Sequence, residues 1–326
     1  NISGNEWPTF TVGYGNSYKN DELIDAARTA EILNAKNFQI LLTQNDFEDS
    51  MPEVLKFLEE PVASSSIIPM YHVCRLAHDH VKVALVGQGP DELFGGYRRH
   101  IGIRYGHLWR ATPYFFRFPI KKIIEKFSYS ETLQRGLYSI DQKDKLQRYK
   151  NKVDNYQKLK TIYNNDLNSS DELGGFQFFE LRSTLPDELL MYADKLSMAH
   201  SLELRVPYLD KDIVEWVEML PQKLKIKMMN RKYIHRRVCS NFLPKEIIKR
   251  KKRGFAVDVV DDWFSSSITG KFSEYIKDPK SLIYSNYIEY ESVQKILDAH
   301  RNGKKNYHKI LFSLVLFEQW LRNRSM

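Results

Sequence analysis

The first hundred residues alternate short apolar runs with amphipathic segments. Apolar runs at residues 10–13, 38–42 and 83–86 predict strands, because each is short and is followed by polar or glycine-rich sequence. Apolar positions at helical spacing between these runs predict helices at residues 21–34, about 51–58 and 68–78. Such alternation is typical of a layered α/β domain with a mainly parallel sheet. We therefore expect an α/β part over residues 1–100.

The pattern changes after residue 100. Residues 101–180 interleave aromatic and basic side chains and predict a helical insertion. Aromatic residues of this kind can stack nucleic acid bases, but at helical spacing they more often pack in a core, which is the interpretation we favour. The aromatic residues concerned are Tyr105, Trp109, Tyr114, Phe115, Phe116 and Phe118. The third part, residues 181–326, predicts helices at 185–197, 210–220, 233–242, 292–301 and 307–322.

Length and cysteine content narrow the class of protein. A chain of 326 residues can bury a large core, and none of its apolar runs approaches the roughly 20 residues that span a bilayer. Cys74 and Cys239 are the only cysteines and lie far apart in sequence, which argues against a disulfide scaffold or a thiolate metal site. We expect two buried structural thiols, a cytoplasmic protein and no membrane association.

The chain is basic, with a formal net charge of +8. Such a charge favours nucleic acid, an acidic membrane surface or a polyanionic small substrate as a partner. Basic residues cluster at 98–100, 121–122 and most densely at 249–253. The densest cluster fits a solvated face, a nucleotide phosphate site or a nucleic acid site, and its charge alone does not choose among them.

Residues 87–97 form the most informative motif. An apolar strand leads into a glycine turn, and the carboxylates Asp91 and Glu92 then open a short helix. Backbone N–H groups in such a turn can meet phosphate oxygens, while Asp91 can hold Mg²⁺, which prefers carboxylate and phosphate oxygens. The alternative interpretation is a plain strand-to-helix turn with an acidic N-terminus.

Two further segments point to one family. Residues 185–210 contain Asp187, Glu188 and a Glu-Leu-Arg-Val-Pro-Tyr-Leu-Asp ending, and residues 250–255 read Arg-Lys-Lys-Arg-Gly-Phe. Together with residues 87–97 they resemble the synthetase domain of glutamine-dependent asparagine synthetases. The resemblance covers nearly the whole chain and is weakest over residues 101–179. Supporting matches lie at residues 10–13, 58–61, 68–69 and 317–321.

The resemblance implies a fold and a chemistry. The fold would be a Rossmann-like parallel sheet of the adenine-nucleotide alpha-hydrolase type, followed by a largely helical C-terminal part. The chemistry would be ATP-dependent amide formation: a carboxylate, aspartate first, attacks the α-phosphorus, pyrophosphate leaves with Mg²⁺, and ammonia then attacks the acyl-adenylate. Positioning and electrostatic stabilisation are the main tasks of a protein that catalyses such steps.

The resemblance also assigns roles to residues, position by position. Asp91 matches the Mg²⁺–pyrophosphate ligand, and Lys252 matches the lysine that steadies the charge of the phosphate and the intermediate. A lysine in a basic run before a Gly-Phe turn can reach a phosphate as a mobile point charge, although a solvent-facing lysine is the alternative. The candidate nucleotide contacts are Val12, Val86, Gly87, Gly89 and Tyr97.

Four of the candidates have a competing structural interpretation. Glu92 is a candidate catalytic residue or a helix-start residue, and Tyr97 is a nucleotide contact or a packing aromatic. Asp187 and Glu188 would hold the substrate amine or transfer a proton, or they would cap a helix.

The sequence departs from the family pattern at Gln88. The family usually carries Asp or Glu there, and an amide cannot ionise to act as a general base toward incoming ammonium. Related enzymes that use another amine acceptor, namely β-lactam synthetases and lasso-peptide cyclases, form the first alternative. A non-catalytic nucleotide-binding homologue is the second, and a nucleic acid-binding protein using residues 249–253 is the third.

The family also has parts that residues 1–326 do not contain. Its Ser-Gly-Gly-x-Asp-Ser pyrophosphate loop is expected just upstream of Asn1, and an N-terminal glutaminase further upstream. We therefore expect this chain to be a piece of a longer protein that uses ATP, Mg²⁺, aspartate or another small carboxylate, and glutamine or ammonia. No nucleic acid partner is expected. The sequence does not give the oligomeric state, for which a homodimer is one candidate.

Overall fold

The structure is a computed structural model that describes residues 6–15, 21–62, 64–127, 158, 160–162, 172–250, 271–302 and 307–325. It is a mixed α/β structure, mostly helical, with small parallel sheets. The chain forms two compact units, each discontinuous in sequence. The first unit comprises Asn1–Ala84, Met191–Leu204 and Lys251–Met326, and the second unit comprises Leu85–Leu190 and Arg205–Arg250.

Four strands and a series of helices make up the described chain. The strands are β1 (Pro8–Gly13), β2 (Lys36–Leu41), β3 (Val83–Leu85) and β4 (Glu203–Arg205). The helices up to residue 198 are α1 (Leu23–Leu33), α2 (Gln44–Val54), α3 (Ile67–His78), α4 (Pro90–Phe94), α5 (Arg98–Ala111), α6 (Tyr114–Phe127), α7 (Glu172–Arg182) and α8 (Met191–Met198). They continue with α9 (Lys211–Met219), α10 (Gln222–Lys225), α11 (Tyr233–Cys239), α12 (Lys245–Ile248), α13 (Ser273–Lys277), α14 (Ile283–Asn286), α15 (Tyr290–Arg301) and α16 (His308–Ser325). A π-helical segment, Leu185–Leu190, precedes α8, and a 3-10 turn, Pro207–Leu209, follows β4.

A β-α-β arrangement opens the first unit. Strands β1 and β2 pair in parallel, with Pro8 opposite Lys36 and Gly13 opposite Leu41. Helix α1 supplies the crossover that parallel strands require, and it ends at Asn34, whose left-handed φ of 51° closes the helix. The core of this unit centres on Phe47, whose ring lies 6.2 Å from that of Phe272 and 6.3 Å from that of Phe312.

The second unit has two apolar clusters. One joins residues of α5, α7 and the end of α10, namely Ile103, Leu173, Phe176, Phe178, Phe179 and Ile226. The other joins Leu93 and Phe94 of α4 to Val217 of α9, with Leu209 and Ile234 packed against them. The five-residue helix α4 is thus anchored by two buried side chains, which fixes the glycine-rich turns on either side of it.

The strand prediction is confirmed in part. All three predicted strands form, but the sheets are β1–β2 and β3–β4, with two strands each among the described residues. The Rossmann-like sheet is therefore not confirmed. Strand β4 was not predicted, because its three residues, Glu-Leu-Arg, carry too little pattern to separate a strand from a loop. Its pairing is seen where Glu203 N–H donates to the Lys82 carbonyl and Val86 N–H to that of Arg205.

Two helix predictions need correction. The helix predicted at about 51–58 spans Gln44–Val54, because Thr43 and Asp46 form a reciprocal capping box that starts the helix earlier. The helix predicted at 185–197 begins as the π-helical segment and continues as α8. The other predicted helices form within a few residues of their expected ends, except at 233–242, where α11 stops at Cys239.

The prediction of a core role for the aromatic residues holds only for part of the insertion. Tyr105 packs against the cluster around Phe176. The prediction is wrong for Tyr114, Phe115, Phe116 and Phe118 of α6, of which Phe115 is 80% exposed. Helical spacing places these rings on a common helix, but burial also requires a partner surface, which the spacing does not supply.

Two further expectations, on the cysteines and on membrane-spanning helices, can be compared with the structure. Both cysteines are free thiols, and Cys74 is buried, while Cys239 is half-buried. None of the helices in the described ranges is long and apolar enough to cross a membrane. The domain boundaries expected near residues 100 and 180 stay predictions.

Candidate functional site

The turn after β3 depends on glycine at two positions. Gly89 has a φ of +99°, and a Cβ there would overlap the side chain of Leu209. Gly95 has a φ of +73°, and a Cβ there would lie 2.8 Å from Ile226 Cγ1. Side chains rarely adopt this backbone region, so both positions favour glycine for conformation and for space. The glycines therefore hold the backbone of residues 89–95 in one path against the second unit's core.

Gly87 and Gln88 differ from those two positions. A Cβ at Gly87 would meet nothing within 4 Å, so the structure leaves open space beside this residue. The neighbouring Gln88 Oε1 is buried and has no hydrogen-bond partner among the residues that the structure describes. A buried acceptor without a donor is costly, so a ligand N–H or O–H group at this position would be stabilised.

Asp91 forms an ion pair with a residue from a distant part of the second unit. Its Oδ1 lies 3.1 Å from Lys232 Nζ, and the two side chains are 21% and 22% exposed. The pair lies directly against Gly96, where a Cβ would overlap Asp91 Oδ1 and would approach Lys232 Cε to 2.5 Å. Gly96 is thus required by close approach, and it allows the carboxylate and the ammonium to meet.

Further cations surround this pair. Arg231 Nη1 donates to the Gly96 carbonyl at 2.7 Å. Burial lowers the pKa of Arg231, and the nearby Arg98 and Arg236 lower it further, whereas Asp91 raises it. The arginine remains a cation at neutral pH, so these shifts show that several positive charges lie close together. The region around Asp91 is therefore suited to anionic groups.

Glu92 points into the protein rather than toward this cationic region. It is 4% exposed, and its carboxylate accepts a hydrogen bond of 2.6 Å from the Tyr97 hydroxyl. Burial raises the pKa of Glu92, which the Tyr97 hydrogen bond partly opposes, and burial also raises the pKa of Tyr97. The carbonyl groups of Glu92 and Leu93 both accept hydrogen bonds from Gln177 Nε2. These contacts fix the shape of α4.

A charged cluster supports Tyr97 from behind. The Arg99 guanidinium stacks over the Tyr97 ring at 4.0 Å, and the His100 ring meets it edge-on at 5.3 Å. Glu180, almost fully buried, accepts from Arg99 and lies 2.6 Å from His100 Nε2. Burial acts to raise the pKa of Glu180, but His100 and Arg99 outweigh it and lower this pKa. The cluster holds Tyr97, and through it Glu92, in place.

Val12 belongs to the first unit, at the end of β1. It is buried and pairs with Ile40 of β2. Beyond it, the carboxylate of Asp21 accepts from the backbone N–H groups of Tyr14, Gly15 and Leu23, at 2.5, 2.9 and 2.7 Å. This carboxylate binds the loop after β1 to the start of α1.

The remaining candidates are placed as follows. Val86 is half-buried and follows β3, while Asp187 and Glu188 are exposed in the first turn of the π-helical segment. Segments of π-helix occur frequently at functional sites. Lys252 lies outside the described residues.

Sequence reasoning missed Lys232, the partner of Asp91. The sequence does show two adjacent basic residues, Arg231 and Lys232, after a polar turn. Nothing in these two residues specifies which carboxylate the Lys232 side chain contacts. Glu180 and Gln177 were also missed, since they lie in an apolar, aromatic helix where charged and amide side chains have no distinctive spacing. Asp21 was treated only as a helix start.

The oxygen ligands at this site suit a Mg²⁺ ion that binds together with the phosphates of a substrate. Within the described ranges there is no group of three or more His, Cys, Asp and Glu residues that could hold a metal ion. Mg²⁺, however, is commonly held by one or two carboxylates together with substrate phosphates and water. Asp91, a partly exposed oxygen ligand among cations, can serve as one such carboxylate.

Comparison with known proteins identifies the relatives of this chain. The family model described as asparagine synthase matches residues 2–322. An asparagine synthetase [glutamine-hydrolyzing] 1 of Bacillus subtilis is 27% identical over 96% of this chain and 51% of its own length. A putative asparagine synthetase [glutamine-hydrolyzing] of Mycobacterium tuberculosis is 28% identical over 96% of this chain and 50% of its own length. This chain therefore spans about half the length of these relatives.

Proposed function

Because this chain belongs to the asparagine synthase family, we propose that it is the synthetase part of an ATP-dependent amide-forming ligase. The proposed reaction activates aspartate as an acyl-adenylate with release of pyrophosphate and then transfers ammonia derived from glutamine. The names of the relatives, asparagine synthetase [glutamine-hydrolyzing], support both substrates. A Rossmann-like sheet, a cytoplasmic location and a homodimer belong to the same proposal.

One observation carries the proposal: Asp91 and Lys232 meet against Gly96, among further cations. Adenylation develops negative charge on the departing pyrophosphate, so catalysis needs fixed cations and a metal-binding carboxylate at that place. Bound at Asp91, Mg²⁺ would neutralise part of this charge. Lys232 and Arg231 contribute positive charge from the protein itself, and Lys252 is proposed to add another on the strength of the family resemblance.

The bonds that form and break in the two steps of the proposed reaction define what the residues must do. A carboxylate oxygen of the acid forms a bond to the α-phosphorus while the bond from phosphorus to the bridging oxygen breaks. The amine nitrogen then attacks the activated carbonyl carbon, the bond from carbon to the adenylate oxygen breaks, and AMP leaves. The nitrogen must lose a proton in this second step. Gln88 cannot take that proton, but its buried Oε1 can accept a hydrogen bond from the amine and orient it.

The other site residues have proposed positioning and binding roles. Val86, Gly87 and Gly89 are proposed to contact the nucleotide, which the open space at Gly87 supports. Val12 is proposed to contact the adenosine, as the family resemblance implies. Glu92 and Tyr97, which hydrogen-bond to each other, would set the shape of α4 rather than touch the reacting atoms. The exposed Asp187 and Glu188 would interact with the amine substrate.

A second candidate function follows from Gln88. An enzyme of the same adenylation chemistry that uses a substrate amine in place of ammonia, as in β-lactam synthetases and lasso-peptide cyclases, needs no carboxylate to deprotonate ammonium. Gln88 Oε1 is buried and has no hydrogen-bond partner among the described residues, so it can accept a hydrogen bond from a substrate amine. This favours the alternative enzyme over a non-catalytic homologue.

Product analysis tests the proposal. The full-length protein is incubated with ATP, Mg²⁺, aspartate and either glutamine or ammonium, and AMP, pyrophosphate and asparagine are quantified. We expect all three products, and we expect Asp91→Asn to form them about 10² to 10³-fold more slowly, while Asp212→Asn, a change on the exposed face of α9, leaves the rate unchanged. AMP without asparagine, formed with another acid, would support the second candidate. ATP binding without AMP release for any acid would overturn both.

A further inference from the structure

We propose that a cleft beside the second half of α5 binds a free α-amino acid with an apolar side chain, its carboxylate at Arg104 and its ammonium group at Glu172. The cleft lies within the second unit and has a volume of about 430 Å³, inside the range of roughly 300 to 1,000 Å³ of small-molecule sites. This inference goes beyond the proposed function, in which none of the cleft residues has a role. The lining residues are Arg104, Tyr105, His107, Leu108, Glu172 and Gln222.

One wall of the cleft is a face of α5. Arg104, His107 and Leu108 are three and four residues apart in this helix, so their side chains lie on the same side of it. Another side of the helix is fixed in the core, because Ile103 belongs to the buried cluster around Phe176. The side chains that line the cleft therefore project from a backbone that packing holds in place.

Arg104 supplies the positive charge of the cleft. Its Nη1 donates to Gln222 Oε1 at 2.9 Å, and its Nε is buried without a hydrogen-bond partner among the described residues. An amide oxygen does not neutralise a guanidinium, and a buried donor without an acceptor is costly. A carboxylate matches the planar guanidinium and would provide both an acceptor and a negative charge. Arg104 is therefore suited to the carboxylate of a ligand.

Glu172, the first residue of α7, supplies the negative charge. Its Oε1 pairs with Arg110, and its side chain is 40% exposed, so a ligand can reach the carboxylate from solvent. A carboxylate has about four acceptor positions, which allows it to bind Arg110 and an ammonium group together. His107 Nδ1 donates to the Arg104 carbonyl at 3.0 Å, which leaves Nε2 of the neutral ring as a further acceptor. These acceptors suit the ammonium group of a ligand.

The two charges together select a zwitterion over a simple ion. Arg104 attracts a phosphate dianion but Glu172 repels it, and the reverse holds for an amine without a carboxylate. In an α-amino acid each charged group meets its opposite. The Tyr105 ring and the Leu108 side chain, which is 58% exposed, offer apolar surface to the side chain of the ligand. The expected ligand is therefore an amino acid such as leucine.

Binding of L-leucine and of two analogues to the full-length protein tests the proposal. 4-Methylpentanoate has the same carbon skeleton without the amine, and 3-methylbutylamine has it without the carboxylate. Affinities are measured by saturation-transfer NMR titration, with inorganic phosphate as a fourth ligand. We expect L-leucine to bind at least about tenfold more tightly than either analogue or phosphate, because each of these lacks one of the two charge-assisted contacts.

Two variants assign the contacts. Arg104→Gln should weaken the binding of L-leucine and 4-methylpentanoate by at least about tenfold and should not weaken that of 3-methylbutylamine. Glu172→Gln should weaken the binding of L-leucine and 3-methylbutylamine by about three- to tenfold and should not weaken that of 4-methylpentanoate. A purely structural role of these residues does not predict this crossed pattern. Arg237→Gln, which removes an exposed arginine of α11, is the matched control and should change none of the affinities.

The outcomes separate this site from the proposed reaction. If L-leucine binds no more tightly than phosphate or either analogue, or equally well to Arg104→Gln, the amino acid site is wrong and the proposed function stands. Asp91→Asn should keep its affinity for L-leucine, and a loss of binding in that variant would also contradict the cleft as the site. If Arg104→Gln is unstable in a melting curve, Glu172→Gln, a change at an exposed position, decides the question with the same three ligands.

Discussion

The turns that follow β1 and β3 use a carboxylate in opposite ways. In the first unit, Asp21 accepts three backbone N–H groups, so its oxygens are committed to closing a loop. In the second unit, Asp91 Oδ1 forms an ion pair with the ammonium group at the end of the Lys232 side chain. Backbone donors cannot leave without unfolding the loop, whereas a lysine side chain can change its rotamer.

This difference teaches how to separate a structural carboxylate from a functional one. Glycines accompany both: a Cβ at Gly13 would lie 2.8 Å from Asp21 Oδ2, and a Cβ at Gly96 would overlap Asp91. Glycine and acid in the sequence therefore do not distinguish them. The partner does, because an exchangeable cation in a cationic environment leaves the carboxylate available to a metal, whereas three N–H groups do not.

The largest expected effect is on catalysis and would come from Asp91. We expect Asp91→Asn to reduce pyrophosphate release by about 10² to 10³-fold, the usual cost of losing one preorganised electrostatic contact, with little change in thermal stability. Initial rates and a melting curve measure the two effects separately. A rate within about threefold of the unaltered protein would mean that Asp91 resembles Asp21 after all.

The second largest expected effect is a dependence of stability on pH that arises in the first unit. Burial lowers the pKa of His72 to about 4 from 6.5, so the unfolded chain takes up a proton between these values and the folded chain does not. Stability should then fall as the pH drops from 6.5 to 4, by up to about 3 kcal/mol. Urea denaturation across this range measures it, and His72→Gln should flatten the profile.

The second unit should respond at lower pH. His100 and Arg99 lower the pKa of Glu180 below its ordinary value of 4.5. The contribution of this carboxylate to the free energy of unfolding is therefore complete above pH 4.5 and is lost as the pH falls through the lowered pKa. If the slope between pH 6.5 and 4 persists in His72→Gln, the pH dependence has another origin.

A smaller effect is expected from Asp21→Asn. An amide has one acceptor oxygen instead of two, so at least one of three backbone N–H groups loses its partner, at a cost of about 2 kcal/mol in the free energy of unfolding. Chemical denaturation measures this cost, and Asp25→Asn, a change at a half-buried position in the first turn of α1, serves as the control. An unchanged midpoint would show that the loop does not need the carboxylate.

The smallest effect separates the glycines of the second unit. Gly87→Ala should change the free energy of unfolding by less than about 0.5 kcal/mol, because the site is open and φ is not positive. Gly89→Ala should cost more than about 1 kcal/mol, because of its positive φ and the contact with Leu209. A Gly87→Ala variant that is stable yet binds ATP more weakly would mark the open space as ligand space.

Much of the architecture could be predicted from local pattern. The strands at Pro8–Gly13 and Lys36–Leu41 and the long helices have periodic apolar positions, and the glycine turn has a distinctive order of residues. These signals are local in sequence. The resemblance to the asparagine synthase family, drawn from three motifs, is confirmed by the family match over residues 2–322.

What could not be predicted depends on contacts between distant segments. The sequence around Asp91 does not specify Lys232, and the sequence around Tyr97 does not specify Glu180. The exposure of Phe115 likewise depends on whether another surface covers α6. Strand β4 forms because β3 offers hydrogen-bond partners, not because three residues prefer it. In each case the missing information is a tertiary neighbour, which periodicity and composition do not encode.

One isotope measurement tests the central claim, that the Asp91 turn serves acyl-adenylate formation. Aspartate labelled with ¹⁸O in its side-chain carboxylate is incubated with ATP, Mg²⁺ and glutamine or ammonium in the presence of the full-length protein, and the products are analysed by mass spectrometry. Our account predicts one ¹⁸O atom in AMP for each amide formed. Formation of ADP with ¹⁸O in inorganic phosphate would contradict it.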